Sequence, residues 1–419
     1  MSKLQTVPSG WKSTTLGTFM EFKNGVNADK NAYGSGTEFV NVMDIFKRNF
    51  MKKCNILGKV EITEKQKKEY SVKYGDILFN RTSEVPDEIA FSSVYLDEDE
   101  ITFGGFVIRG RQKKELLVPL FAGYCFNNSS IRREMIRRSQ GVVRANIGQK
   151  DLNKVPILIP PKDEQNKIAS VLTLWDNAIE KTEALIAAKE KQFEWLCTNL
   201  LSKRKKSLGF LGKSTPTAFE DIFSLFKKVN TSCADYEVLS VTKDGIVSQS
   251  EYFNKEIASK DKSKYLVVDK YTLVMSGLNF WMGAIDFQTI RDTGIVSPAY
   301  KTFKINEGPY SRNYLRFFVR SHYMTRILLD SSIQGASIVR RNLDMEWLLS
   351  SLIDLPNLQE QNAIASILSL AEKEIDGLKL LAEKYRSQKS GLMQKLLTGE
   401  WQVASSQSVA EGHPREESA

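Results

Sequence analysis

Between residues 155 and 202 the apolar positions recur every seventh residue. After an apolar run closed by Pro160-Pro161, one seam position holds Leu172, Ile179, Ile186, Phe193 and Leu200. The other holds Ile168, Trp175, Thr182, Lys189 and Leu196. Asp163 is placed to cap the start, and neither Gly nor Pro interrupts the pattern before the basic run at 203–206. A period of seven held over five heptads predicts a long helix with a coiled-coil seam rather than a globular core helix.

The stretch occurs twice. Glu164-Gln165-Asn166 and Ile168-Ala169-Ser170 return as Glu360-Gln361-Asn362 and Ile364-Ala365-Ser366, at the shift of 196 that carries residue 165 to 361. The same shift carries Leu200-Leu201 to Leu396-Leu397 without a gap. In the second copy the seam runs through Ile364, Leu368, Ala371, Ile375, Leu378, Ala382, Tyr385, Lys389, Leu392 and Leu396. Each copy carries polar seam residues toward its C-terminal half, a wet patch in a two-helix seam.

Before each long helix lies a stretch without sustained period. Residues 11–25 read as a short amphipathic segment ending in a Gly turn. Strand-like runs of β-branched and apolar residues follow at 38–42, 74–79 and 106–108, separated by Gly, Asn and Asp clusters. Helices are expected at 116–126 and 130–139. The second stretch repeats the order more loosely. Residues 218–228 stand for 16–23, and 267–275 for 74–79, with a turn at Asp269-Lys270-Tyr271. Residues 294–304 stand for 104–109, 314–329 are helical, and Gln334-Gly335 repeats Gln140-Gly141. The organisation expected is a globular domain over residues 1–160, a helix over 161–206, a second domain over 207–356, a second helix over 357–402, and a disordered polar tail over 403–419. The fold class is α+β, with two mixed α/β domains and a pseudo-twofold internal repeat.

Composition narrows the function by exclusion. At 419 residues and 42% hydrophobic, the chain is long enough for two domains. No apolar run is long enough to span a membrane, and the first residues lack an apolar signal core, so a cytoplasmic location is expected. Cys54, Cys125, Cys197 and Cys233 are scattered, which points to reduced, buried thiols rather than a zinc site. The net charge of +9 suits a polyanionic partner. Gly212-Lys213-Ser214 imitates the end of a phosphate loop, but Ser207 stands where its first Gly is required. With His322 and His413 the only histidines, and no paired carboxylates at catalytic spacing, the chain reads as a binder with no cofactor or metal of its own.

At this point the residues resemble a known family. Pro160-Pro161-x-x-Glu164-Gln165-x-x-Ile168-Ala169, its copy closing on Leu396-Leu397-Thr398-Gly399, the opening VPSGWKSTTLG and the run YGDILFNRTSE are similar to the specificity subunits of type I restriction–modification enzymes. The second copy departs in having Leu355-Pro356-Asn357 for the double proline, and the second domain lacks the Gly-Trp opening. The resemblance implies two target recognition domains joined by helices that pair antiparallel, the first running away from domain one and the second running back. It implies double-stranded DNA as ligand, two modification subunits that bind S-adenosylmethionine and methylate adenine, and nuclease/translocase subunits that use ATP and Mg²⁺. The chain itself would catalyse neither reaction. It would read a bipartite site whose unread spacer is set by the helices.

Base edges are best read by Arg and Asn, which bond guanine and adenine bidentately. In domain one the candidates are Lys23, Asn24, Asn80, Arg81, Thr82, Ser83, Arg144 and Asn146. In domain two they are Ser276, Gly277, Asn279, Arg340 and Arg341. Arg132, Arg133, Arg137 and Arg138 are candidate phosphate contacts. The alternatives are a stand-alone DNA-binding protein and a coiled-coil scaffold; a stable complex with methyltransferase subunits would separate them.

Overall fold

The computed structural model describes residues 7–46, 48–141, 144–202, 214–231, 234–253, 261–334 and 341–403. The seven-residue period produces two uninterrupted helices of 39 residues each, Lys162–Leu200 and Leu358–Leu396. The chain divides into two units. One holds the residues up to Thr182 with those from Leu381 on; the other holds Glu183–Leu380. Each unit is therefore one α/β domain with a half of each long helix.

In the first unit the central sheet has five strands in the order Met20–Asn24, Val107–Gln112, Ile77–Asn80, Ser92–Tyr95 and Phe50–Met51. All neighbours are antiparallel except the last pair. The helices Pro119–Phe126 and Ser129–Arg138 supply Phe121, Tyr124, Phe126 and Met135 to the core, which continues into Ile168, Leu172, Leu396 and Leu397. The start of the first long helix thus shares its core with the end of the second, and Trp175 meets the Tyr385 ring edge-on at 5.5 Å. The two segments run antiparallel.

The second unit repeats this order with four strands: Phe223–Leu225, Lys301–Ile305, Leu273–Met275 and Ile285–Phe287. Its helices Arg312–Val319 and His322–Asp330 share a core with Leu200, Leu201, Ile364 and Leu368. Every seam residue of the two heptad patterns is buried or half-buried. The polar seam positions are satisfied locally: the Thr182 hydroxyl donates to Ala178 O at 2.7 Å, Lys189 pairs with Glu374 at 2.8 Å, and Lys389 pairs with Asp176.

Several expectations need correction. Residues 11–25 form two strands around a short 3-10 turn, because Lys12–Thr15 pairs with Pro156–Ile159 and Met20–Asn24 with Val107–Gln112. The turn expected at Asp269-Lys270-Tyr271 is present, with Tyr271 at φ +68°, and it separates two strands, Leu266–Asp269 and Leu273–Met275. The helix over 314–329 is broken in two, because Ser321 caps a new helix by accepting from Met324 N–H at 3.2 Å. Cys54 is exposed, so not every thiol is buried. Cys233, the residues 203–213 that would contain the second domain's opening, and the tail from 404 lie outside the described residues.

Candidate nucleic-acid interface

In the first unit the strand Ile77–Asn80 delivers the chain to a loop that pairs, through Thr82–Ser83, with Ala145–Asn146. Gln140 bridges Asn146 to close a short hairpin. Thr82 Oγ donates to Asn146 Oδ1 at 2.7 Å, and Ile147 N–H donates to Arg81 O at 3.0 Å. Arg81, Thr82, Ser83, Arg144 and Asn146, far apart in sequence, therefore stand together. Asn24 ends the neighbouring edge strand opposite Ile108. Lys23 is turned to Glu69, 3.0 Å away, with its ammonium 4.9 Å from the Tyr70 ring centre.

Not every candidate can reach a base. Asn80 is buried: its Oδ1 accepts from Thr82 N–H and its Nδ2 donates to Glu88 O, both at 3.2 Å. Ser276 is buried at the matching strand end, where its Oγ accepts from Asn279 N–H at 3.2 Å. These two shape their loops rather than project from them. Arg132 is likewise buried, stacked 3.9 Å from the Phe91 ring centre and donating to Asp87 O. Burial pushes its guanidinium down to about 10. Arg137 and Arg138 both pair with Glu134, and Arg133 donates to Ser129 O within its own helix.

In the second unit Gly277 and exposed Asn279 follow the matching strand, and Arg341–Leu343 stands where Ala145–Asn146 stood but pairs with Ser332–Gln334 rather than with the loop. Arg341 donates to Ser332 Oγ at 2.9 Å and stacks 5.3 Å from the Trp281 ring centre. Gly277 lies so close to Ala299 that a Cβ would sit 2.1 Å from its carbonyl oxygen. Arg340 lies outside the described residues.

Reading by residue type passed over the aromatics beside these loops. Phe106 is 60% exposed and is the one phenylalanine among the described residues that is exposed. Arg144 stacks 5.8 Å from its ring centre. The available signal was an aromatic placed directly after Gly104-Gly105.

Among the described residues no group of three His, Cys, Asp or Glu could hold a metal ion, and no helix is long and apolar enough to cross a membrane. Two α/β domains with paired long helices, each domain presenting basic and amide side chains on a loop and hairpin, define a recognition protein. Residues 8–191 match the family model for the type I restriction modification DNA specificity domain. A putative type I restriction enzyme MjaX specificity subunit from Methanocaldococcus jannaschii is 23% identical, over 96% of this chain and 96% of the relative. The MjaVIII specificity subunit from the same organism is 22% identical, over 95% and 94%. In fold, the crystal structure of the HsdS subunit from Thermoanaerobacter tengcongensis matches with a TM-score of 0.55 at 14% identity, covering 96% of this chain and all of that one. Over residues 8–191 the chain matches that domain family, and over nearly its whole length it is similar to specificity subunits of type I restriction–modification enzymes. The similarity is to DNA-recognition components of such enzymes.

Proposed function

We propose that each domain reads one half of a bipartite double-stranded DNA site and that the paired helices set the unread spacer between the halves. The observation that carries this reading is the repetition of one loop-and-hairpin arrangement in two domains with different side chains on it. A repeated scaffold gives two equivalent readers; different side chains give two different half-sites. In the first domain Arg81, Thr82, Ser83, Arg144, Asn146 and Asn24 read or clamp, and Lys23 balances a phosphate against Glu69. In the second, Asn279 and Arg341 do so, with Gly277 allowing a close approach; Arg340, next to Arg341 in sequence, is a further candidate. Phosphate contacts fix register, and base-edge contacts specify.

The chain directs chemistry that its partners perform. Two modification subunits carry S-adenosylmethionine and methylate adenine in each half-site, and nuclease/translocase subunits with ATP and Mg²⁺ add restriction. The internal repeat supports two equal partners, because each unit offers the same helix pair beside the same domain. Replacing residues 11–154 with the matching domain of a relative should change one half of the methylated motif and leave the other. A change in both halves would refute independent reading. Arg81→Ala should cost about 1–3 kcal/mol of binding and relax one base position; a loss uniform across sequences would make Arg81 a phosphate contact instead.

A further inference from the structure

We propose that Phe106 reads the C5-methyl group of a thymine in the half-site recognised by the first domain. The inference rests on the reading above, that this domain binds DNA through its loop and hairpin. Phe106 is exposed where the other described phenylalanines are buried or half-buried. Its face is therefore open to a ligand, and Arg144 already lies over the ring.

The ring is carried on a fixed support. Val107 N–H donates to Gly104 O at 2.9 Å, closing the turn beneath it. A Cβ at Gly104 would fall 2.6 Å from the Phe39 ring, and one at Gly105 would fall 1.9 Å from the Asn27 side chain, so the turn is packed from both sides. Arg81 ties it to the reading loop. Its N–H donates to Phe106 O at 2.9 Å and its guanidinium to Gly105 O at 3.2 Å. Little conformational freedom remains to be lost on binding.

The setting selects the ligand chemistry. Arg144 stacks on the ring and Arg81 holds the turn that carries it, and the two charges favour the phosphate-lined groove. An apolar ring beside cations at the groove finds one apolar feature on a base edge, the thymine methyl, which no other unmodified base offers in the major groove. The second domain builds its own couple from Arg341 and Trp281, with the aromatic on a different element. At the place of Phe106 it has Ala299, which faces Gly277 as Phe106 faces Arg81.

The test is binding of the full chain, in complex with its modification subunits, to duplexes carrying its mapped recognition sequence. Thymines of the first half-site are replaced one at a time by uracil, which removes only the methyl. At one position the wild-type complex should bind about fourfold more weakly, the loss expected for one uncovered methyl. Phe106→Ala should bind the thymine and uracil duplexes equally, whereas Phe106→Leu should keep part of the preference. Uracil in the second half-site should affect all three proteins alike, which also reports that the variants are folded. If wild type and Phe106→Ala lose the same factor at every position, Phe106 reads no methyl and the proposal falls. A duplex with the first half-site scrambled separates the two claims. If wild type binds it as well as the intact site, the domain does not read DNA and the broader reading fails first.

Discussion

Gln165, at the start of the first long helix, accepts from Val118 N–H and donates to Leu116 O and Pro160 O, all within 2.9 Å. Gln361, at the start of the second, accepts from Ser311 N–H and donates to Pro309 O and Pro356 O. The two halves solve one problem identically there: a buried amide fastens the helix to its own domain. At the ends of the matched strands they differ completely, with Arg81 against Phe106 in one half and Gly277 against Ala299 in the other. A buried, fully bonded amide leaves three main-chain groups stranded if it changes, and each stranded group is costly. An exposed loop residue can change at little cost to stability. The framework is therefore held and the reading surface is free to diverge.

The same division shows in a pair of clefts. One of about 510 Å³ lies between Asn128, Asp176, Lys389 and Met393 in the first unit, and one of about 550 Å³ between Ser321, Phe193 and Cys197 in the second. Lys389 and Met393 occupy the heptad positions of Phe193 and Cys197. The place of the cleft follows from the repeated helix junction, and its lining does not.

The comparison is broken most easily at the glutamines. Gln165→Leu and Gln361→Leu should each destabilise by about 3 kcal/mol, since a donor and two acceptors are left buried without partners. Urea unfolding of the two variants would show it. Equal losses sharpen the correspondence between the halves, and a loss in only one would end it.

A smaller and unequal effect is expected one layer out. Asp176 accepts from Tyr124 Oη at 2.6 Å and pairs with Lys389, whose side chain is only 14% exposed. Burial, and then the bond to Asp176, hold the Tyr124 hydroxyl protonated well above the usual tyrosine range. In the other half Arg316 pairs with Glu372, at 29% and 32% exposure respectively. Asp176→Ala strands a nearly buried ammonium and should cost about 2 kcal/mol. Glu372→Ala should cost less than about 1 kcal/mol, because water reaches Arg316. Thermal unfolding at low and high salt checks both, and the reverse order would overturn the assignment of the first pair as the more buried.

The smallest effect is a rate. Burial pushes the Cys125 thiol up to about 12 and the Cys197 thiol up to about 11, so both stay protonated at pH 8. Iodoacetamide at that pH should alkylate exposed Cys54 well before either, as peptide mass mapping would show. Early modification of Cys125 would mean that the core of the first unit opens readily.

What the sequence by itself determined were the features written in local period. The heptads and the exact shift of the repeat are legible, because a seam of period seven specifies a helix with a face to hide; the antiparallel pairing came from the family resemblance. The sequence also offered Arg81 through Ser83 and Arg144 with Asn146 as candidate readers from residue type alone. Only the tertiary structure decided which of them stand together and which are spent internally. Asn80 and Ser276 look like readers in one dimension, and Arg132 like a phosphate contact, yet each is buried and bonded to a neighbouring loop or main-chain carbonyl. Phe106 looks like one more core aromatic, yet the turn at Gly104-Gly105 turns it outward. Exposure depends on what the rest of the chain packs against a residue, and that packing is set by contacts scores of residues away, which no local pattern records.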